Sequence, residues 1–256
     1  MRVAFFGGIY SNWLALEAAL ADARRRGAEQ IYCLGDLGAF GPHPDRTIEL
    51  LRDGEIPVVQ GNYDEAVGNA KPDCGCGYTD PRDNHYARIS YAYTMEKTSA
   101  AHRPWLAALP RSLSFEHQGL RCLLVHGSPR QQNEFLWESA TPDHLLERLC
   151  GDADVLVCTH TGLHWQRRLS SGKQVVNVGA LGRPANDGRT CVWYALLDTD
   201  APQPFRFVPV EYDHHRLARE MRDESLPEEF VETILTGWWT TCLEILPAKE
   251  RARGRF

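Results

Sequence analysis

The chain has 256 residues, a net charge of −6 and a pI near 5.9. Hydrophobic residues make up 43% and charged residues 24%, which fits a globular core and excludes a disordered or fibrous chain. The acidic balance argues against a general nucleic-acid or anionic-membrane surface, and no apolar run approaches the roughly 20 residues of a membrane span. Arg2–Phe6 reads as a strand at once, without the pattern of a secretory leader, so a cytoplasmic location is expected. The eight cysteines, mostly in apolar strands, fit reduced buried thiols in that compartment.

After the first strand come Gly7-Gly8, a helix N-cap at Asn12, and Trp13, Leu16, Ala19 and Leu20 at helical spacing up to Gly27. Ile31–Leu34 predicts a second strand that stops at Gly35 and delivers Asp36. Pro44 opens a helix carrying Ile48, Leu50 and Leu51, and Ile56–Gly61 reads as a third strand ending at Asn62. This β-α-β-α-β start predicts a largely parallel sheet edge. The loop Lys71–Pro81 carries Cys74 and Cys76, a pair that could bind a metal or form a redox pair but is read first as two free thiols on a surface loop, because a structural zinc site needs a second pair. Helices over 83–95 and 101–109 follow, the second ended by Pro110.

The second half is strand-rich. Apolar runs lie at 113–117, 121–125, 154–158, 164–169, 174–178, 191–197 and 205–210, with one clear helix over 142–150. Gln118-Gly119, Ser171-Gly172 and Asp187-Gly188 suit hairpin turns, so a second, more antiparallel sheet is expected. Helices over 213–224 and 227–236 precede Trp238-Trp239 and a basic tail. No linker divides the chain.

Four of these strands end in metal-binding side chains: Asp36, Asn62, His126 and His160. Two oxygen and two nitrogen donors at strand ends look like one site assembled from distant parts of the chain. Gly35-Asp36, Gly61-Asn62-Tyr63-Asp64, His126-Gly127-Ser128-Pro129, His160-Thr161-Gly162 and Asn177-Val178-Gly179-Ala180, in that order, resemble the calcineurin-like metallophosphoesterases, most of all their compact bacterial branch. The resemblance runs from Arg2 to about Gly237. It implies one domain over 1–237, with 238–256 an extension that is not an independent domain. It also implies an α/β fold, a four-layer αββα sandwich of two mixed β-sheets flanked by helices, with two metals at the strand ends and hydrolysis of phosphate mono- or diesters.

The departures from the family pattern fall on its chemistry. The first strand of the family ends in Asp-x-His, where this chain has Gly8-Ile9-Tyr10. The family histidine after the asparagine is Tyr63 here, and the last family histidine is Gly162. The half-site that the resemblance assigns to Asp36, Asn62, His126 and His160 is whole; the other has lost three of its four ligands. One divalent transition metal (Mn, Fe, Zn, Ni or Co) is therefore expected. Tyr63 stands where the family places its leaving-group acid, with Asp64 orienting it; a phenol of pKa ~10 is a poor acid at neutral pH. Tyr10, Arg130 and Arg183 are candidate substrate contacts, with Tyr10 also a filler of the lost metal position. His164 is displaced along its strand by about two rises of roughly 3.3 Å, too far to replace the missing ligand at 162. Two functions stay open: a phosphoesterase of restricted substrate range, and a weak or inactive module that binds a phosphorylated small molecule or a protein partner. Homo-oligomerisation is left open.

Overall fold

The computed structural model describes residues 1–255. In chain order, β1 (Arg2–Phe6), α1 (Trp13–Arg25), β2 (Gln30–Cys33), α2 (Pro44–Asp53), α3 (Asn62–Gly68), α4 (Pro81–Lys97) and α5 (Arg103–Ala107) form the first half. Then come β3 (Ser112–His117), β4 (Leu120–Val125), α6 (Asp143–Cys150), β5 (Val155–Cys158), β6 (His164–Arg168), β7 (Gln174–Val178), β8 (Val192–Asp198) and β9 (Phe205–Val210). The chain closes with α7 (His214–Asp223), α8 (Glu228–Thr236) and the short α9 (Ala248–Arg251).

The strands make two mixed sheets, ordered β2-β1-β8-β9 and β3-β4-β5-β7-β6. Strand alternation builds the layers. Val3 and Phe5 of β1 meet Val155 and Val157 of β5 between the sheets, in a core shared with Leu124, Val176 and Leu197. Ala4 and Phe6 point the other way, into helices that contribute Leu16, Ile48, Leu217 and Phe230. Leu156 and Cys158 likewise turn away from the inter-sheet core and pack on Leu146 and Leu149 of α6. The result is helix, sheet, sheet, helix, as expected.

Several local expectations are corrected. The third strand is reduced to one parallel bridge, Cys33 with Val58, and Asn62 opens a helix instead of ending a strand. Pro57 has no N–H for a ladder, although its carbonyl accepts from Cys33 N at 3.0 Å. The second sheet is not chiefly antiparallel: β4, β5 and β7 run parallel, while β8 and β9 return to the first sheet beside β1. Gln118-Gly119 does turn a β3–β4 hairpin, but Asp187-Gly188 lies between β7 and β8, which belong to different sheets. Cys74 and Cys76 are neither free nor on the surface; both are buried and joined by a disulfide. Of the other cysteines, five are buried thiols and Cys242 is half-buried.

Candidate metal centre and its pocket

Asp36 follows β2 through Gly35, whose φ is +88°. A Cβ on Gly35 would stand 2.3 Å from the backbone nitrogen of Gly61, so only glycine lets the two loops approach. Asp36 itself is left-handed, with φ +56°. Asp64 holds it there: its carboxylate accepts from the backbone N–H groups of Asp36 (2.8 Å), Leu37 (3.0 Å) and Gly61 (2.8 Å). Asp36 Oδ1 accepts from Tyr63 N at 3.0 Å, which leaves Oδ2 to face His126 Nε2 at 3.2 Å.

His126 follows β4 and is oriented by the chain before Asp36. Its Nδ1 lies 2.6 Å from the Leu34 carbonyl, which can only accept, so Nδ1 carries a proton. Nε2 then faces both Asp36 Oδ2 and His160 Nδ1, the latter also at 3.2 Å. The three atoms lie within 4.8 Å of one another and all three residues are buried. An imidazole fixed by a backbone carbonyl, with its other nitrogen turned to a carboxylate and a second imidazole, is the usual arrangement behind a metal ligand. Asn62 adds an oxygen: its Nδ2 donates to the Cys74 carbonyl at 2.9 Å, while its buried Oδ1 has no partner. This donor set, two oxygens and two nitrogens with one oxygen unsatisfied, fits a divalent transition metal.

The electrostatics are mutual. Burial alone would push the His126 pKa down, but the Asp36 carboxylate outweighs it and holds it above the ordinary histidine value. Burial pushes Asp36 up, and His126 and His160 bring it below the usual carboxylate range. His160 is lowered to about 3 by burial and by His126. Asp64, raised by burial and by Asp36, stands at about 6.

The other half-site is filled with side chains. A Cβ on Gly8 would meet Tyr10 Cε1 at 2.5 Å. A Cβ on Gly162, where φ is +73°, would meet a Trp239 ring carbon at 2.9 Å and Arg183 Nη2 at 3.1 Å. Arg183 lies 3.5 Å over the Trp239 ring and 5.7 Å from the Tyr10 ring centre. It is 6% exposed. Trp239 is anchored by its indole N–H to the Pro184 carbonyl (2.7 Å) and by its backbone N–H to Asn186 Oδ1 (2.8 Å). Six non-glycine residues around this centre, Tyr10, Ser11, Asp36, Ala39, Phe40 and His160, have left-handed backbones. Such clustering marks a place where the fold holds strained conformations for a purpose.

Asp36, His160, Tyr10, Tyr63 and Arg183 line one pocket of about 50 Å³, room for a few water-sized groups. Phe40, Tyr78, Tyr86 and Phe230 complete its walls, and Thr241 and Cys242 come from the extension. These wall residues carry no local mark in the sequence, because they come from separate helices and loops that only the fold brings together.

Two expectations for the site change, those for Asp64 with Tyr63 and for Arg130, while His164 stands outside the centre as its spacing implies. Asp64 does not orient the Tyr63 hydroxyl, because its carboxylate is taken by three backbone N–H groups. That hydroxyl instead donates to Ser90 Oγ at 3.1 Å, and burial raises its pKa further. Arg130 is an exposed partner of Glu134, with Nε 2.8 Å from Glu134 Oε2, and does not line the pocket of Asp36 and Arg183. His164 packs against Trp193 and Phe207, outside the centre.

A family model of the calcineurin-like phosphoesterase superfamily domain matches residues 1–201. An uncharacterized protein of Methanocaldococcus jannaschii is 26% identical over 250 residues, covering 92% of this chain and 98% of that one. Among solved structures, a metallophosphoesterase from Sphaerobacter thermophilus superposes with a TM-score of 0.70 at 29% identity, over 93% of this chain and 99% of its own. A hypothetical protein from Pyrococcus horikoshii shares the fold with a TM-score of 0.77 at 24% identity, over 93% and 99%. The matched stretch takes in every strand from β1 to β8, and with them all four donors, so this chain belongs to the calcineurin-like phosphoesterase superfamily.

Proposed function

We propose that this protein is a mononuclear metal-dependent phosphoesterase that hydrolyses a restricted range of small phosphate mono- or diesters. Family membership supports metal-dependent phosphoester hydrolysis in general. The finer reading is carried by one asymmetry. Asp36, His126 and His160 converge and Asn62 keeps a buried oxygen without a partner, while Tyr10, Trp239 and Arg183 occupy the space beside Gly8 and Gly162.

Asp36, Asn62, His126 and His160 would hold the metal, which supplies positive charge to polarise a phosphoryl oxygen and acidify water. The chain does the rest. Leu34 and Asp64 fix the directions of His126 and Asp36 before any substrate arrives, so little reorganisation is left for the reaction. Aromatic walls line the site, and a pocket of about 50 Å³ admits a phosphoryl group and leaves a larger ester portion outside. Tyr63 serves as a wall and hydrogen-bond donor, not as an efficient acid, so esters with good leaving groups are favoured. Trp239, Thr241 and Cys242, from the segment after Gly237, belong to the working unit, because they line or back this pocket.

Metal analysis of purified protein, joined to a panel of aryl phosphate mono- and diesters, tests the proposal. One metal per chain with slow, chelator-sensitive turnover supports it; two metals per chain reject it. The engagement of Tyr63 and Asp64 favours a second reading, a module that binds a phosphorylated ligand. Metal-loaded protein that binds phosphate yet turns over no ester selects that one.

A further inference from the structure

Arg183 is the one feature of this pocket that neither the metal nor the packing explains. Its side chain is buried, its Nε has no hydrogen-bond partner, and among the described residues no carboxylate lies within ion-pair distance. Buried cations are costly unless they are paired. Three aromatic rings, those of Trp239, Tyr10 and Phe40, surround the guanidinium at 3.5, 5.7 and 5.9 Å. Ring faces ease the desolvation of a cation but accept none of its directed hydrogen bonds. They do fix the plane of the guanidinium fork. Arg183 and Asp36 line the same small pocket, and Tyr10 feels the charge of both.

We propose that Arg183 is the oxyanion anchor of the pocket, doing with a fixed guanidinium what a second metal ion would do with its charge. It grips the tetrahedral oxyanion of a phosphate ester, or free phosphate, through two parallel N–H donors in the pocket that Asp36 and His160 also line. The stack on Trp239 holds the fork ready, and that ring comes from the extension. Gly162 is part of the device: a side chain there would meet both Trp239 and Arg183. A planar fork suits two oxygens of a phosphoryl group better than a point charge does. The proposal rests on the phosphoesterase reading for its substrate class, but its geometry is that of any tetrahedral oxyanion ligand.

The test is calorimetric titration of inorganic phosphate into metal-loaded and metal-stripped protein, with acetate as the planar control. Wild-type protein should retain measurable phosphate affinity after metal removal and prefer phosphate to acetate. Arg183→Gln should weaken phosphate binding about ten- to a hundred-fold, the loss of a charged bidentate pair, with unchanged metal content. Arg183→Lys keeps the charge and loses the fork, so it should fall between the two. If the glutamine variant melts well below wild type, the lysine variant carries the comparison. Equal phosphate affinity in wild type and a folded variant overturns the proposal, even where ester turnover proceeds. Loss of metal in the variants also overturns it, since Arg183 would then be supporting the donors. Two metals per wild-type chain would instead defeat the mononuclear reading, while the phosphate titration still judges Arg183.

Discussion

Tyr10 lies across Gly8 so closely that a Cβ on Gly8 would stand 2.5 Å from Tyr10 Cε1. The two residues form a complementary pair, a missing side chain and the ring that fills its place. Gly8→Asp should therefore cost about 1–3 kcal/mol of stability in the wild-type background, as overpacking does. With Tyr10→Ala present, most of that cost should vanish. Urea unfolding of the two single variants and the double variant gives the coupling, expected above about 1 kcal/mol. Additive effects would show that the ring does not occupy that space.

Gly162→His should behave differently. Its φ of +73° penalises any side chain, whatever room is made. Trp239→Ala should then relieve only part of the damage, leaving about 1–2 kcal/mol of backbone strain. Full rescue in the double variant would place the whole penalty on the ring.

Asp36→Ala and His160→Ala should each lower metal occupancy strongly, since each removes a donor from the converging set. Cys74→Ser with Cys76→Ser should keep the metal. The disulfide loop touches the centre through Asn62 Nδ2, which donates to the Cys74 carbonyl and, at 3.5 Å, to Cys76 Sγ, and through the Cys76 backbone beside His160; the cysteine sulfurs themselves are not among the converging donors. Elemental analysis after gel filtration distinguishes the cases. Metal loss in the cysteine variant would promote the thiols to ligands.

Metal affinity should weaken as pH falls. His126 is held above the ordinary histidine value, so below that pH the ion must displace its proton, at about one power of ten in apparent affinity per pH unit. In metal-free protein the signs divide. The raised His126 contributes stability that is present below about pH 6.5 and lost as pH rises through its folded value. His160, lowered to about 3, contributes stability that is present above about pH 6.5 and lost as pH falls towards 3. Asp64, at about 6, contributes stability that is full below about pH 4 and lost by pH 6, opposing His160 in that window. His164, lowered to about 4 by burial, adds a further loss as pH falls from about 6.5 to 4, so thermal melts of the metal-free protein should fall off above pH 6.5 and also decline as pH drops below it, most steeply below pH 4. A monotonic profile would contradict this balance.

Tyr63→Phe removes the bond to Ser90 Oγ and should cost about 1 kcal/mol of stability. Its effect on turnover should be the same for esters with good and poor leaving groups, because the hydroxyl is engaged away from the reaction. A selective loss on poor leaving groups, read from kcat/KM across the aryl series, would make Tyr63 the proton donor after all.

The convergence of Asp36, His126 and His160 was legible in the sequence for a physical reason. A short apolar strand that stops at glycine or meets a histidine marks the carboxyl edge of a sheet, and Asp36, His126 and His160 each carry that local mark. Asn62 was placed in the right neighbourhood but on the wrong element, since Ile56–Gly61 has a strand's composition and Pro57 limits its pairing. The partner sheet of β8 and β9 was not legible, because alternation gives the buried face of a strand and not its neighbour. Nor was the Arg183–Trp239 stack, which joins two loops through contacts that leave no periodic trace. The Cys74–Cys76 bond was misread from spacing alone.

That stack also sets an order of events on the ribosome. Asp36, Asn62, His126 and His160 are all translated before Trp239 exists, so the donors emerge while the wall behind Arg183 is still missing. Docking of Trp239, Thr241 and Cys242 then completes the pocket wall, so a chain that stops before Trp239 leaves Arg183 without its stack.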